Sequence, residues 1–376
     1  MMFWWILCIC GSYALLIISL IYGFWKVPNT NRQEYVATKT EFSVIIPFRN
    51  EAKHLPKLLK SISNLHYPRE KVSFWLVNDA SEDDSVAIIE KFCQENTTWD
   101  IRILQNNRVS NSPKKDAIVT AISQIQSDWI VTTDADCILP IFWLSFLNQK
   151  IVAEQPKMIA APVTYEEEKS FFSYFQLLDF LSLQGTTTGS FGLVIPFMCN
   201  GANLAYQKEA FLAVNGFSGN DTIASGDDVF LLEKFIQKWP KKVVYLKSKS
   251  TLVKTYAMRT WKEFVSQRIR WASKSANYNL FTGKVIGVIV ILMNLLFCLL
   301  PILLFTKISW KLLVGIFVAK MSINSILLIQ TLRFTQQKIR LLYLIISNII
   351  YPYCTVFIFF RSLFSTYTWK NRSFKK

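Results

Sequence analysis

The sequence predicts an α/β protein with a doubly wound, mainly parallel sheet, joined to an N-terminal transmembrane helix and to C-terminal transmembrane helices. From about residue 41, short apolar runs typical of strands alternate with amphipathic helical patterns, as in parallel β-α-β units. Long apolar runs also occupy both ends of the chain. Hydrophobic residues make up 51% of the 376 residues, which is too high for a purely soluble protein of this length.

The chain begins with an uncharged run of 23 residues from Phe3 to Trp25, and about 20 residues are enough to cross a bilayer core. A cleaved signal peptide would have a shorter apolar region and a basic start, and no charge precedes this run. We therefore expect residues 1–26 to be an uncleaved transmembrane anchor. Lys26 and Arg32, directly after it, favour the cytosolic side for the region that follows.

The charge balance and the cysteines indicate the kind of partner and the compartment. Lys and Arg number 42 against 26 Asp and Glu, a net charge of +16. Such a balance is typical of proteins that contact nucleic acid or the anionic inner membrane face. The apolar ends favour the membrane, so no specific nucleic-acid partner is expected. The seven cysteines show no CxxC pair, which predicts a reducing compartment and no zinc site.

Four strands are predicted in the first half of the α/β region: Phe42–Phe48, Val72–Val77, Ile101–Leu104 and Trp129–Thr133. Helical patterns at Lys53–Leu65 and Asp116–Gln126 lie between them. Polar residues follow three of the strand ends: Asn50, Asp79, Asp134 and Asp136. Because ligands of doubly wound sheets bind beyond the carboxyl ends of the strands, we expect these side chains to share one crevice.

The second half of this region is less regular. Met158–Val163 is a possible strand, and Phe171–Leu183 is either buried core or a helix at the membrane interface. Gly226–Trp239 is predicted to be an amphipathic helix with two acids at its start. Thr260–Asn279 combines aromatic and basic residues, which is typical of an interfacial helix.

Three apolar stretches follow: Val285–Phe305, Leu312–Leu332 and Leu341–Phe360. Lys320 lies in the middle stretch, where a charge is costly at mid-bilayer, so two or three of these stretches are expected to span the membrane. With three spans, the tail after Arg361 lies on the opposite side from the α/β region. The tail is basic, however, which favours the cytosol, so the two signals disagree.

Asp134 and Asp136 are one residue apart after a strand, so their carboxylates point to the same side. Two converging carboxylates favour a divalent cation with a preference for oxygen ligands.

Five motifs occur in order along the chain: Pro47-Phe48-Arg49-Asn50-Glu51, Asp79, Asp134-Ala135-Asp136, Asp227-Asp228 and Gln267-Arg268-Ile269-Arg270-Trp271. This order resembles the family 2 glycosyltransferases with the GT-A fold, in the membrane-bound branch that carries Gln-x-x-Arg-Trp. The resemblance covers roughly residues 42–275.

The resemblance implies roles at the sugar donor. Asp136 is implied as the direct metal ligand, Asp134 as a ligand of the metal or the ribose, and Asp79 as the residue that reads the nucleobase. The remaining nucleotide-binding residues implied are Pro47, Asn50, Glu51 and Lys115. The glycine usual before that lysine is absent here, where Pro113 and Lys114 stand instead.

The resemblance also implies roles in the transfer itself. Asp228 is implied as the general base that takes the proton of the acceptor hydroxyl, with Asp227 as a supporting acid. Gln267, Arg270 and Trp271 are implied at the diphosphate and the acceptor, since arginine can pair with phosphate in bidentate fashion.

The implied function is inverting, metal-dependent transfer of a sugar from a nucleotide-diphosphate sugar, a UDP-sugar, to a lipid or lipid-linked acceptor, with Mg²⁺ or Mn²⁺ as the cofactor. The implied location is the cytoplasmic membrane, with a cytosolic catalytic domain. The expected domains are the anchor 1–26, a GT-A catalytic domain 41–255, an interfacial helix 256–281, transmembrane segments 284–362 and a basic tail 363–376.

Two other functions fit the same motifs. A processive polysaccharide synthase also carries Gln-x-x-Arg-Trp, although three C-terminal stretches offer little material for a polymer channel. A non-enzymatic scaffold or sugar-nucleotide sensor could retain the fold, but all the acids needed for catalysis are present. The tail segment Thr368-Trp369-Lys370-Asn371-Arg372 resembles the Trp-Lys-Gly-Arg tail of lipid-modifying relatives, with Asn371 in place of glycine.

Overall fold

The structure, a computed structural model, describes residues 2–30, 36–167, 169–219, 226–275, 278–364, 367–369 and 372–374. Its strands are β1 Phe42–Phe48, β2 Val72–Asn78, β3 Asp100–Gln105, β4 Trp129–Thr132, β5 Met158–Ala160, β6 Val163–Tyr165, β7 Leu204–Gln207, β8 Val243–Tyr245, β9 Val253–Thr255, β10 Tyr367–Trp369 and β11 Arg372–Phe374. Its helices are α1 Met2–Lys26, α2 Leu55–Ser63, α3 Ser85–Glu95, α4 Pro113–Ile122, α5 Trp143–Glu154, α6 Phe171–Gly192, α7 Lys208–Ala213, α8 Asp227–Lys238, α9 Trp261–Ser275, α10 Phe281–Leu303, α11 Trp310–Phe334 and α12 Leu341–Phe364.

The chain divides into two compact units. The sheet unit contains Pro28–Glu166 and Met198–Tyr256. The helical unit contains Met1–Val27, Glu167–Phe197 and Ala257–Lys376. The range 41–255, predicted as the catalytic domain, lies within the sheet unit except for residues 167–197, which carry α6.

The sheet unit is built on a seven-stranded sheet with the order β3-β2-β1-β4-β7-β5-β8. β1 pairs in parallel with β2 on one side and with β4 on the other, so that Phe42 lies opposite both Val72 and Trp129. Among the described strands of this sheet, only β7 runs antiparallel to its neighbours. The doubly wound, mainly parallel sheet is confirmed.

The apolar pattern of the chain explains this core. β1 is a continuous apolar run because both faces of a parallel sheet are covered, and all but one of its residues are buried. In α2 the buried residues Leu55, Leu58, Leu59 and Ile62 recur at helical spacing and turn one face to the core.

The possible strand Met158–Val163 is two strands in the structure. Ala161 and Pro162 interrupt it, because proline has no N–H to continue a ladder. β5 belongs to the main sheet, whereas β6 pairs in parallel with β9 in a separate two-stranded sheet.

Four helices in the described part of the helical unit are long and apolar enough to cross a membrane: α1, α10, α11 and α12. The middle C-terminal stretch forms such a helix despite Lys320. That residue is only 1% exposed, and its ammonium lies 4.7 Å from the centre of the Phe297 ring. Its charge therefore faces aromatic side chains inside the unit.

Helix α6 resolves the alternative left open for Phe171–Leu183, because most of its side chains are buried within the helical unit. Glycines let it approach α1 closely. A Cβ added at Gly192 would lie 1.8 Å from the carbonyl oxygen of Gly23, and one at Gly189 would lie 2.4 Å from that of Leu20. Small residues of this kind permit close packing between helices.

The tail contains β10, which pairs with β11 in an antiparallel hairpin and lies beside α9 within the same unit. Arg32, Lys370, Asn371, Lys375 and Lys376 fall outside the described residues. The two sequence signals for the side of the membrane on which the tail lies therefore remain in disagreement.

Gly192→Ala is expected to lower the midpoint of thermal unfolding of the detergent-solubilised protein by several degrees, because overpacking costs about 1–3 kcal/mol. Gly11→Ala is the matched control. No atom lies within 4 Å of a Cβ added there, so its midpoint should stay the same or rise slightly with helix propensity. Equal midpoints for the two variants would contradict the close contact between α1 and α6.

Candidate active site

The loops after β1 and β2 are tied together at the carboxyl edge of the sheet. Asn50 adopts a left-handed backbone conformation with φ 52°, which asparagine tolerates better than most residues. Its side-chain oxygen accepts the N–H of Glu82 at 2.8 Å. The Arg49 guanidinium donates to the carbonyl oxygen of Asp79 at 2.8 Å. Pro47 lies on β1 opposite Val77 of β2.

Asp79 directly follows β2 and is buried. Its Oδ1 accepts a hydrogen bond from Nδ2 of Asn106 at 2.8 Å and an ion-paired hydrogen bond from Nε of Arg108. Sequence reasoning missed both partners. They follow β3, whose carboxyl end lies at the same edge, and that position was the available signal.

Glu51 belongs to a short chain of contacts beside this edge. Its Oε2 lies 2.9 Å from Nδ1 of His54, and the His54 ring stacks on Tyr256 with 5.0 Å between the ring centres. The Glu51 charge also acts on Asp136. Glu51 therefore lies close enough to Asp136 for the two charges to interact.

Asp134 and Asp136 follow β4, the strand beside β1. The Asp136 carboxylate accepts a hydrogen bond from the hydroxyl of Thr255 at 3.1 Å. Burial, together with the nearby charges of Asp134 and Glu51, raises the pKa of Asp136 to about 6 from an ordinary 3.8. Close carboxylates of this kind repel one another and are stabilised by a cation.

Lys114 supplies one cation to the cluster. Its ammonium lies 2.7 Å from Oδ1 of Asp134 and 3.2 Å from Oδ2 of Asp227, and so links the end of β4 to the start of α8. Burial alone would lower the pKa of Lys114, but the two carboxylates outweigh burial and raise it well above its usual range. The ammonium is therefore charged at every physiological pH.

Lys115 lies elsewhere. It is buried, with its ammonium 5.0 Å from the centre of the Phe230 ring. The structure thus brings Lys114 into the acid cluster and leaves Lys115, the lysine singled out from the sequence, in the core. The unusual Pro113-Lys114 pair at the start of α4 was the feature of the sequence that could have drawn attention to Lys114.

The acids of α8 begin directly after Gly226, whose left-handed conformation (φ 83°) suits glycine. Asp228 accepts the backbone N–H of Gly201 at 3.1 Å and that of Val229 at 2.8 Å. A Cβ at Gly201 would lie 2.9 Å from Oδ2 of Asp227. The lack of a side chain at Gly201 therefore makes room for the acid pair.

Gln267, Arg270 and Trp271 lie on α9 of the helical unit. Their neighbour Arg268 organises this helix, because its guanidinium pairs with Asp179, donates to Oε1 of Gln267 and lies 4.3 Å from the Trp271 ring. Both members of the ion pair are largely buried. Sequence reasoning did not single out Arg268 or Asp179.

The acid pair suits a divalent cation. Within the described ranges, no three His, Cys, Asp or Glu side chains are grouped so as to hold a metal ion by themselves. Mg²⁺ is commonly held by one or two carboxylates together with substrate phosphates. Asp134 and Asp136 meet that requirement at the point where the strand order reverses, between β1 and β4, where ligands of such sheets bind.

The sequence model of glycosyl transferase family 2 matches residues 43–212, and that of glycosyl transferase family group 2 matches residues 129–368. The chain belongs to the family 2 glycosyltransferases. The mannosyltransferase from Pyrobaculum calidifontis, solved with GDP-Man and Mn²⁺, superposes with a TM-score of 0.54 at 14% identity, over 95% of this chain and 98% of that one. At this identity the similarity concerns the fold.

Relatives of this glycosyltransferase include the β-monoglucosyldiacylglycerol synthase of Nostoc sp., 21% identical over 70% of this chain and 56% of that protein. The undecaprenyl-phosphate 4-deoxy-4-formamido-L-arabinose transferase of Salmonella choleraesuis is 34% identical over 25% of this chain and 28% of that protein. The chain thus spans about half the length of the synthase, and less of the transferase.

The raised pKa of Asp136 predicts a dependence of stability on pH. Between 3.8 and about 6 the folded glycosyltransferase binds more protons than the unfolded chain. The free energy of unfolding therefore falls as the pH rises through this window. In metal-free buffer at about pH 7, Asp136→Asn should unfold at a higher temperature than the wild type.

Below about pH 3 this difference in unfolding temperature should vanish, because Asp136 is then neutral in both folded and unfolded states. Asp128→Asn, at an exposed acid before β4, is the control for removal of a carboxylate, and its midpoint at about pH 7 should stay close to that of the wild type. An Asp136→Asn variant that is no more stable than the wild type near neutral pH would contradict the prediction.

Proposed function

We propose that this glycosyltransferase is an inverting, metal-dependent enzyme that moves a sugar from a UDP-sugar to a lipid or lipid-linked acceptor. One observation carries the proposal. Lys114 joins Asp134 of the Asp-x-Asp pair to Asp227 at the start of α8, so the implied metal site and the implied base lie in one cluster. A donor diphosphate and an acceptor hydroxyl need such neighbouring groups.

The donor end of the proposal rests on Asp79, Asn106 and Arg108. The edge of uracil offers an N–H donor between two carbonyl acceptors. A carboxylate with amide and guanidinium donors beside it matches that order. Pro47, Asn50 and Glu51 are proposed to contribute the wall of this pocket. Lys115 is proposed to bind the nucleotide as well.

Asp134 and Asp136 would hold Mg²⁺ or Mn²⁺, which when bound neutralises the charge that develops on the departing diphosphate. The side chain of Asp227 pairs with Lys114, whereas Asp228 is oriented by two backbone N–H groups. We therefore assign the base to Asp228 and the supporting role to Asp227.

In the proposed step, the oxygen of the acceptor hydroxyl forms a bond to the anomeric carbon while its proton passes to Asp228. The bond from that carbon to the diphosphate oxygen breaks, and the diphosphate leaves with the electron pair. One displacement of this kind inverts the configuration. The roles of Gln267, Arg270 and Trp271 at the diphosphate and the acceptor stay predictions.

The acceptor and the location are proposed from two facts. The synthase and the transferase carry diacylglycerol and undecaprenyl phosphate in their names, and four helices of this chain could cross a membrane. A lipid-borne hydroxyl at the cytosolic face of the cytoplasmic membrane fits both. Lys26 at the end of α1 supports the cytosolic side for the sheet unit.

Asp228→Asn is expected to lower the rate of transfer by about 10²–10⁴-fold, because the amide cannot take a proton. UDP binding should stay within a few-fold of the wild type, since the base does not contact the nucleobase. Asp136→Ala should lose both transfer and metal-dependent UDP binding. Transfer measured with a labelled donor and UDP affinity measured by calorimetry check these outcomes. Full turnover by either variant would refute the assignment.

Isolated membranes supplied with labelled nucleotide sugars, with and without EDTA, test donor, metal and acceptor together. We expect one UDP-sugar to label an organic-extractable lipid and EDTA to abolish that labelling. A ladder of long products would favour the processive synthase instead, and labelling that withstands EDTA would overturn the metal dependence. Uridine nucleotide binding with no transfer to any acceptor would favour the sensor.

A further inference from the structure

We propose that Lys114 competes with the divalent cation for Asp134. The metal then binds tightly only together with the diphosphate, because a phosphate oxygen replaces Asp134 as the partner of the Lys114 ammonium. This inference rests on the proposed function, and it assigns to Lys114 a positioning role that controls the order of binding.

The contacts of Lys114 define the competition. Its ammonium lies 2.7 Å from Oδ1 of Asp134, the distance of a strong charged hydrogen bond, and 3.2 Å from Oδ2 of Asp227. The Lys114 side chain is 21% exposed, that of Asp227 is 10% exposed and that of Asp134 is 39% exposed, so water screens the pair with Asp227 weakly and the pair with Asp134 more strongly. One internal cation therefore pairs with both carboxylates, and the three groups together keep a negative charge.

A metal ion on the same Asp134 carboxylate would lie within a few ångströms of this ammonium. The repulsion between a divalent cation and a lysine at that separation is large where water is scarce. Metal binding to the acids alone must therefore displace Lys114, and displacement would leave Asp227 without its cation beside Asp228. Asp136, held by Thr255, would remain as a ligand.

A bound diphosphate changes this balance. It brings two or more negative charges to the metal, and a lysine ammonium binds phosphate readily as a point charge. The Lys114 ammonium can then move from Asp134 to a phosphate oxygen, so that it exchanges one anionic partner for another. The flexible lysine stem permits such a movement, and Gly201 leaves room beside the ammonium, since a Cβ there would lie 3.4 Å from Nζ.

The test measures Mn²⁺ affinity of the full-length protein in detergent, by electron paramagnetic resonance of the free ion, with and without UDP. Without UDP, Lys114→Met should bind Mn²⁺ at least about tenfold more tightly than the wild type, because one repelling charge has been removed. With Mn²⁺ present, the same variant should bind UDP more weakly, because a phosphate partner is lost. Lys114→Arg, which keeps the charge, should resemble the wild type in Mn²⁺ affinity without UDP.

Lys91→Met is the matched control, since it removes the same charge from an exposed position on α3, and its Mn²⁺ affinity should not change. Suppose that the wild type binds Mn²⁺ in the presence of UDP. Unchanged or weaker Mn²⁺ binding by Lys114→Met would then overturn the proposed competition and leave the proposed metal-dependent function intact. If the wild type binds no Mn²⁺ with or without UDP, the proposed metal-dependent function fails first. If Lys114→Met does not fold, a Lys114→Arg variant with tighter Mn²⁺ binding than the wild type would also overturn the proposal.

Discussion

The pairing of β1 with two parallel neighbours, β2 and β4, is the constraint on which the site depends. Because the chain runs outward from β1 through β2 to β3 and returns to β4 on the other side, the carboxyl ends of these strands point the same way with a gap between β1 and β4. Asp79 and Asp134 enter this edge from different strands. Neither residue needs a special conformation of its own to be placed there.

Concentrating acids at this edge works against folding. Asp136 lies near the charges of Asp134 and Glu51, and burial together with these charges raises its pKa. The chain as a whole is strongly basic, yet its net charge does not relieve local repulsion, because charges more than about a Debye length apart are screened. Relief comes from a few neighbouring cations: Lys114 for Asp134 and Asp227, and Arg108 for Asp79. The site thus trades stability for a cluster that favours a bound cation.

Much of the sheet could be predicted because its signals are local. The run at Phe42–Phe48 gave the bounds of β1, since a buried parallel strand is apolar at nearly every position. The choice between Lys114 and Lys115 could not be made in the same way. Neighbouring residues on a helix point about 100° apart, and which of two lysines faces the acids depends on how α4 packs against the sheet.

Contacts distant in sequence were equally hidden. Gly23 and Gly192 lie in apolar or small-residue runs and look like ordinary glycines in the sequence. Only the packing of α1 against α6 shows that neither position has room for a side chain. The same close approach explains why α6 belongs to the helical unit although the sequence around it continues the α/β region. Lys320 is a similar case, because its burial against Phe297 cannot be read from hydropathy.

The Gln-x-x-Arg-Trp helix shows how a motif can depend on a residue outside its pattern. Arg268 occupies a variable position of the motif, yet it contacts both Gln267 and Trp271 and is anchored by the largely buried carboxylate of Asp179. A buried ion pair of this kind is costly to break, because removing either partner leaves an uncompensated charge. Asp179 and Arg268 are therefore expected to orient Gln267 and Trp271. These four side chains form one connected group, so changing any one of them is expected to impair the same function.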